Sequence, residues 1–309
     1  MDLRYGLLSL LYSAVLSAVD GYNILVTTVG IAASQNLIMY RLADMLGERG
    51  HSVTVINYQI LREAKTAKLR HAKEIVRRLV TDDVVLDSIE DAMRDMPWEK
   101  ESKLENPLPK FKVVFGADSR FDVAIMHLVD LCSMGLMKVL DIKAYIWMST
   151  SFLVDPMAWF SGVSFPLSSV PASGTASTDQ MTIGERVKSL GAAGFSVGLA
   201  VNVLVPAYTA VFRRTFGEDF PEIGDILRET QLYFINADPM FEYSRPLLPN
   251  IIYVGGLTME RPQPLDKEWE SVMSGAKDGV VVFAMGTVAN ASGMPHEYKV
   301  RKLRRLLSL

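Results

Sequence analysis

Along the chain, short runs of apolar and β-branched residues alternate with stretches in which apolar side chains recur every three or four positions. YNILVTT (Tyr22 to Thr28) reads as a first strand, and from about Gln35 to Glu48 the residues Leu37, Ile38, Leu42, Met45 and Leu46 share one helical face. Gly50 ends that helix, and SVTVINY (Ser52 to Tyr58) reads as the next strand. Strand, helix and strand in this order predict a parallel sheet with a right-handed crossover. A second unit follows: strand FDVAIMH (Phe121 to His127), a helix from about Val129 to Leu140, and strand KAYIWMS (Lys143 to Ser149). Between the two units, Leu61 to Lys103 is charged and helical in pattern, with a break at Pro97 and Trp98 and with His71 on a solvated helix face.

Thr150 to Ser177 is rich in Ser, Pro and Gly yet carries Phe152, Trp159, Phe160 and Phe165, which predicts a long functional loop. Helical patterns cover Ile183 to Thr215 and Asp225 to Glu229, and QLYFINAD (Gln231 to Asp238) and NIIYVGG (Asn250 to Gly256) read as strands. Leu257 to Leu265, with Pro262 and Pro264, reads as a connector, before a short helix at Asp266 to Ala276 and a strand at Val280 to Met285. The fold class is therefore α/β, built on a parallel sheet.

Composition narrows the function classes. With 309 residues, 49% of them hydrophobic, the chain can bury a large core. A net charge of -3 leaves no footprint for nucleic acid. The single cysteine, Cys132, excludes an internal disulfide, and no Cys/His cluster has zinc-site spacing. Arg4 followed by the apolar run Leu7 to Val19, ending in LSAVDG (Leu16 to Gly21), matches a secretory leader, placing the mature chain in the endoplasmic reticulum lumen or outside the cell. Ala192 to Val211 comes closest to a later membrane span, but Asn202, Pro206 and its small residues predict a buried helix. Asn290-Ala291-Ser292 is a glycosylation sequon.

Four stretches carry a family likeness: ADMLGERGHSVTVI (Ala43 to Ile56), FDVAIMHLVDLC (Phe121 to Cys132), YFINADPMFEYSRPLLPNIIYVGG (Tyr233 to Gly256) and DGVVVFAMGTVAN (Asp278 to Asn290). Together they resemble the UDP-glycosyltransferases, in particular the animal, nematode-like UDP-glucuronosyltransferases. The resemblance implies a GT-B architecture in which an N-terminal Rossmann-like domain binds a small lipophilic acceptor and a C-terminal one binds the UDP-sugar. It divides the chain into a signal peptide at residues 1–19, an acceptor domain at 20–256, a connector with a short helix at 257–277, and the opening of a donor domain at 278–309, most of which is missing. The implied reaction is an inverting transfer with UDP-glucuronic acid or another UDP-sugar as co-substrate and with neither prosthetic group nor metal. A base takes the acceptor's proton as its oxygen attacks the anomeric carbon and UDP leaves.

Family members place the catalytic histidine in a Ser-His pair after the first strand, where this chain has Ser34-Gln35, and glutamine accepts no proton near neutral pH. The acidic partner that orients the histidine corresponds to His127, three residues before Asp130. Two readings stand side by side. Either the pair has moved, with His127 as base and Asp130 orienting it, or His127 is a strand-end histidine and Asp130 caps the next helix. Gly286 and Thr287 resemble the loop that touches the nucleotide, and Ser34, Phe152, Trp159 and Phe160 are candidate acceptor-pocket residues. The family's donor signature and C-terminal membrane anchor have no counterpart after Thr287. The sequence thus leaves open a transferase, a non-catalytic binder of lipophiles that pairs with itself or with longer relatives, and a truncated product without function.

Overall fold

The computed structural model describes residues 21–30, 33–59, 68–78, 120–259, 262–277 and 279–282, with His296 and Val300. The predicted leader, most of the charged stretch at Leu61 to Lys103, the pair Gly286-Thr287 and the sequon lie outside the described residues. Seven parallel strands form one sheet: β1 (Asn23–Gly30), β2 (Ser52–Gln59), β3 (Lys73–Arg78), β4 (Val123–His127), β5 (Ala144–Ser149), β6 (Leu232–Ile235) and β7 (Ile251–Tyr253), in the order β3-β2-β1-β4-β5-β6-β7. The order reverses between β1 and β4, which places a crevice at their carboxyl ends.

Burial on both faces follows from parallel pairing, because crossovers between parallel strands lay helices across the sheet. Leu25, Val29, Ile56, Met126 and Trp147 face one core. Ile24, Val26, Val55, Ile125 and Met148 face the other, beneath α1 (Ala33–Glu48). The first core is covered by α2 (Leu131–Val139), α3 (Asp155–Ser161), α5 (Val205–Phe216) and α6 (Ile223–Arg228). Trp147, 2% exposed, sits between Phe160 and Tyr233, with ring centroids 6.2 Å from each. In α2, Gly135 lets α5 come close: a Cβ there would stand 2.3 Å from the Phe212 ring.

One helical run extends from Ile183 to Phe216. Its first part, α4 (Ile183–Leu199), starts on a capping box in which the Thr182 hydroxyl accepts the Glu185 N–H and the Glu185 carboxylate accepts the Thr182 N–H. A π-turn at Ala200–Leu204 leads into α5, where the Val205 N–H donates to the Ala200 carbonyl five residues back. Pro206 accounts for that turn, because its ring lacks an N–H and collides with the carbonyl of a regular preceding turn. A last helix, α7 (Lys267–Gly275), begins on an Asp266 cap.

Four expectations are corrected. Lys73–Arg78, inside the stretch predicted as helical, is an edge strand paired with β2. Glu74 is held there by the Tyr40 hydroxyl, so backbone pairing overrides the charge pattern. The loop at Thr150 to Ser177 contains α3, started by Pro156 in its first turn and closed by Gly162 at φ 77°. Most of the run from Ala192 to Val211, predicted to be a buried helix, lies outside the core; Phe195 is 73% exposed and Val203 54%. Val280–Val282, the described part of the last predicted strand, adopts no strand.

Gly135→Ala should lower stability by about 1–3 kcal/mol through overpacking against Phe212. Adding Phe212→Leu should recover part of the loss, as read by urea denaturation of the two variants.

Candidate functional site

The switch point is bordered by the start of α1 and the end of β4, the two places where the sequence put its catalytic candidates. Apolar strands run into polar side chains at this edge because they end where the sheet meets solvent. Ser34 is exposed on the first turn of α1. Gln35 beside it is half-buried, and its Oε1 has no hydrogen-bond partner among the described residues. Asn36 is fully buried and accepts the Thr28 hydroxyl at 2.7 Å.

His127 ends β4 at 1% exposure. The Val129 N–H donates to its Nδ1 at 3.4 Å, so the neutral ring carries its proton on Nε2, which faces Thr150 Oγ1 at 3.2 Å. Burial lowers its pKa from 6.5 to about 4. The ring is therefore neutral at pH 7, and its free lone pair is already taken by a backbone N–H. It can donate a hydrogen bond, but it is a weak base.

Asp130 does not hold the histidine. Its carboxylate caps α2, accepting the Ser133 N–H at 3.1 Å and the Ser133 hydroxyl. Burial raises its pKa, opposed by the Ser133 bonds and by the neighbouring Thr27 hydroxyl. Of the two readings, helix capping by Asp130 is the geometry present; the Asp130 N–H donates to the His127 carbonyl at 3.0 Å, and no side-chain hydrogen bond joins His127 to Asp130 or to Gln35 among the described residues. Burial and the nearby Asp130 push the Cys132 thiol up to about 12, leaving it protonated.

The pocket candidates separate. Phe160 is 6% exposed and belongs to the core against Trp147, whereas Phe152 and Trp159 are 44% and 52% exposed. Gly286 and Thr287 lie outside the described residues. Two members of the edge were missed in the sequence: Thr150, which meets His127, and Asn236, whose Nδ2 donates to the Thr150 carbonyl at 3.2 Å. That bond fixes the amide orientation, leaving Asn236 Oδ1 as a buried acceptor without a partner among the described residues. Each is the first residue beyond its strand, β5 or β6, and that position was the available signal. A separate cleft of about 430 Å³ lies between α5 and α6, lined by Thr209, Arg213, Arg214, Glu218 and Glu222, away from this edge.

Residues 108–303 match the family described as UDP-glucoronosyl and UDP-glucosyl transferase. The chain belongs to that family. Among similar proteins are a putative UDP-glucuronosyltransferase, ugt-47, of Caenorhabditis briggsae, 26% identical over 89% of this chain and 55% of its own length, and UDP-glucuronosyltransferase 3A2 of Mus musculus, 28% identical over 93% and 57%. The chain spans about half the length of the curated relatives it matches. A solved structure similar to it is CalG4, the calicheamicin glycosyltransferase, at 16% identity and a TM-score of 0.35 over 76% of this chain and 51% of that one.

Burial of His127 at the end of β4 makes stability depend on pH. Because the folded-state pKa of His127 lies below its unfolded value, its contribution to stability is complete above pH 6.5 and is lost as pH falls towards 4. The full effect is on the order of 3 kcal/mol. The raised Asp130 pKa gives the opposite slope, stability being lost as pH rises through it, so the diagnostic is a difference. His127→Gln should flatten the loss between pH 6.5 and 4 relative to the parent, as measured by denaturant melts across that range.

Proposed function

We propose that this chain is the acceptor-binding part of a UDP-sugar transferase, with residues 20–256 as the acceptor domain, 257–277 as the connector and 278–309 opening the donor domain. The observation that carries the reading is the pairing of family membership over residues 108–303 with a switch point in strand order, where the start of α1 with Gln35 and the end of β4 with His127 meet the sheet edge. The substrate is a small lipophilic alcohol, phenol or acid, and the donor is UDP-glucuronic acid or another UDP-sugar. Acceptor oxygen attacks the anomeric carbon, the bond from that carbon to the UDP oxygen breaks so that UDP leaves with the electron pair, and the acceptor proton passes to water. The apolar leader at Leu7 to Val19 supports a place in the secretory pathway.

One observation favours a second reading, a binder of lipophiles that transfers nothing. The position of the family base holds Gln35, and His127 is neutral, buried and occupied at Nδ1. Neither group takes a proton from an alcohol at neutral pH.

A charge-restoring double variant separates the two. Gln35→His with His127→Asp rebuilds the family pair and should raise transfer from a UDP-sugar to a lipophilic phenol by about 10²–10⁴-fold, the usual contribution of a general base. Product is followed by chromatography, and acceptor binding by calorimetry should stay within about twofold of the parent. Acceptor binding without any gain in transfer would leave the binder; no acceptor binding by a folded protein would sink both.

A further inference from the structure

The cleft between α5 and α6 gathers charges of both signs that do not pair with one another. The last turns of α5 lend it Arg213 and Arg214, and the turn that leads from Gly217, at φ 106°, into α6 lends it Glu218 and Glu222. Ion pairs of this region form elsewhere: Arg228 with Asp225 at 3.0 Å, and Lys138 with Glu229. Arg213, Arg214, Glu218 and Glu222 enter no ion pair among the described residues. Two guanidinium groups and two carboxylates thus border one space of about 430 Å³, a volume within the range of small-molecule sites.

The walls are fixed by bonds that leave the charged ends free. Thr209, 3% exposed, donates its hydroxyl to the Val205 carbonyl at 2.8 Å and accepts the Ile223 N–H at 3.0 Å, which ties the start of α6 to α5. Arg213 Nε donates to the Phe220 carbonyl at 3.0 Å, so the guanidinium is anchored and its two terminal nitrogens remain for an anion. Phe220 stacks on Phe212 with centroids 5.0 Å apart, which holds the turn against α5. The Glu222 side chain takes no part in capping α6. Held walls lower the ordering cost of binding.

The charge pattern selects the ligand. A simple anion in this space would face two carboxylates, and a simple cation would face two guanidinium groups; a ligand with both charges answers all four. Pro206 and Ala210, on the α5 turns before the arginines, add an apolar strip to the lining. We propose that this cleft binds a small zwitterion of the ω-amino acid type, its carboxylate meeting Arg213 and Arg214, its ammonium meeting Glu218 and Glu222, and its carbon chain lying on Pro206 and Ala210. The cleft lies away from the crevice at the sheet edge, so binding here is independent of any transfer there.

The test is calorimetric titration of the full chain with 6-aminohexanoate, and with hexanoate and hexylammonium as single-charge controls. 6-Aminohexanoate should bind at least about tenfold more tightly than either control. Its affinity should fall at least about tenfold in Arg214→Gln and, separately, in Glu218→Gln/Glu222→Gln. The substituted side chains are exposed, and circular dichroism checks that each variant keeps the parent's fold. No binding of 6-aminohexanoate would overturn the inference, as would a control that binds as tightly or folded variants that bind like the parent. A loss confined to Arg214→Gln would overturn it too, because the cleft would then be a site for anions alone.

Discussion

Everything chemical in this domain depends on the pairing of β1 with neighbours on both sides. Its backbone bonds to β2 in one direction and to β4 in the other, all in parallel. Parallel pairing sends every strand out of the sheet at the same edge, and the reversal of order at β1 and β4 opens a gap there. The apolar interior of the sheet gives no purchase for polar chemistry. The side chains just past the strand ends do, and the fold gathers Gln35, Asn36, His127, Thr150 and Asn236 along that edge.

The character of the edge is set by desolvation more than by charge. His127 is kept neutral by burial and tethered through both ring nitrogens, and its bordering groups are amides and hydroxyls. The edge is a neutral hydrogen-bonding rim. The carboxylate nearest in sequence, Asp130, is spent on holding the first turn of α2, where it satisfies a backbone N–H that would otherwise be orphaned.

Much of this was legible from the residues. The central strands are β-branched runs bounded by turn signals, and their position in strand-helix-strand units predicted a parallel sheet. β3 was hidden because its Lys, Glu and Arg residues read as a solvated helix; on an edge strand, half of the positions can face water and the ladder supplies the stability. α3 was hidden in a Ser- and Pro-rich segment because its helix start rests on a proline, a residue that signals loops as often as first turns. Thr150 and Asn236 were missed since nothing in a one-dimensional pattern says that residues 86 positions apart will hydrogen-bond; only the β5–β6 pairing brings them together. The exposure of α4 was hidden for a related reason, as hydrophobicity alone does not report which face meets the sheet.

The π-turn at Ala200–Leu204 works as a phase shifter. One extra residue in a helical turn advances every later side chain by about 100° around the axis. In its absence, Thr209 and Phe212 would be rotated away from the domain, and the ring that fits over Gly135 would point elsewhere. Pro206 thus does more than bend a helix: by forcing the wide turn, it lets one continuous rod present two differently oriented faces, with the α5 side keyed into the core while the outer side of α4 keeps its own bearing.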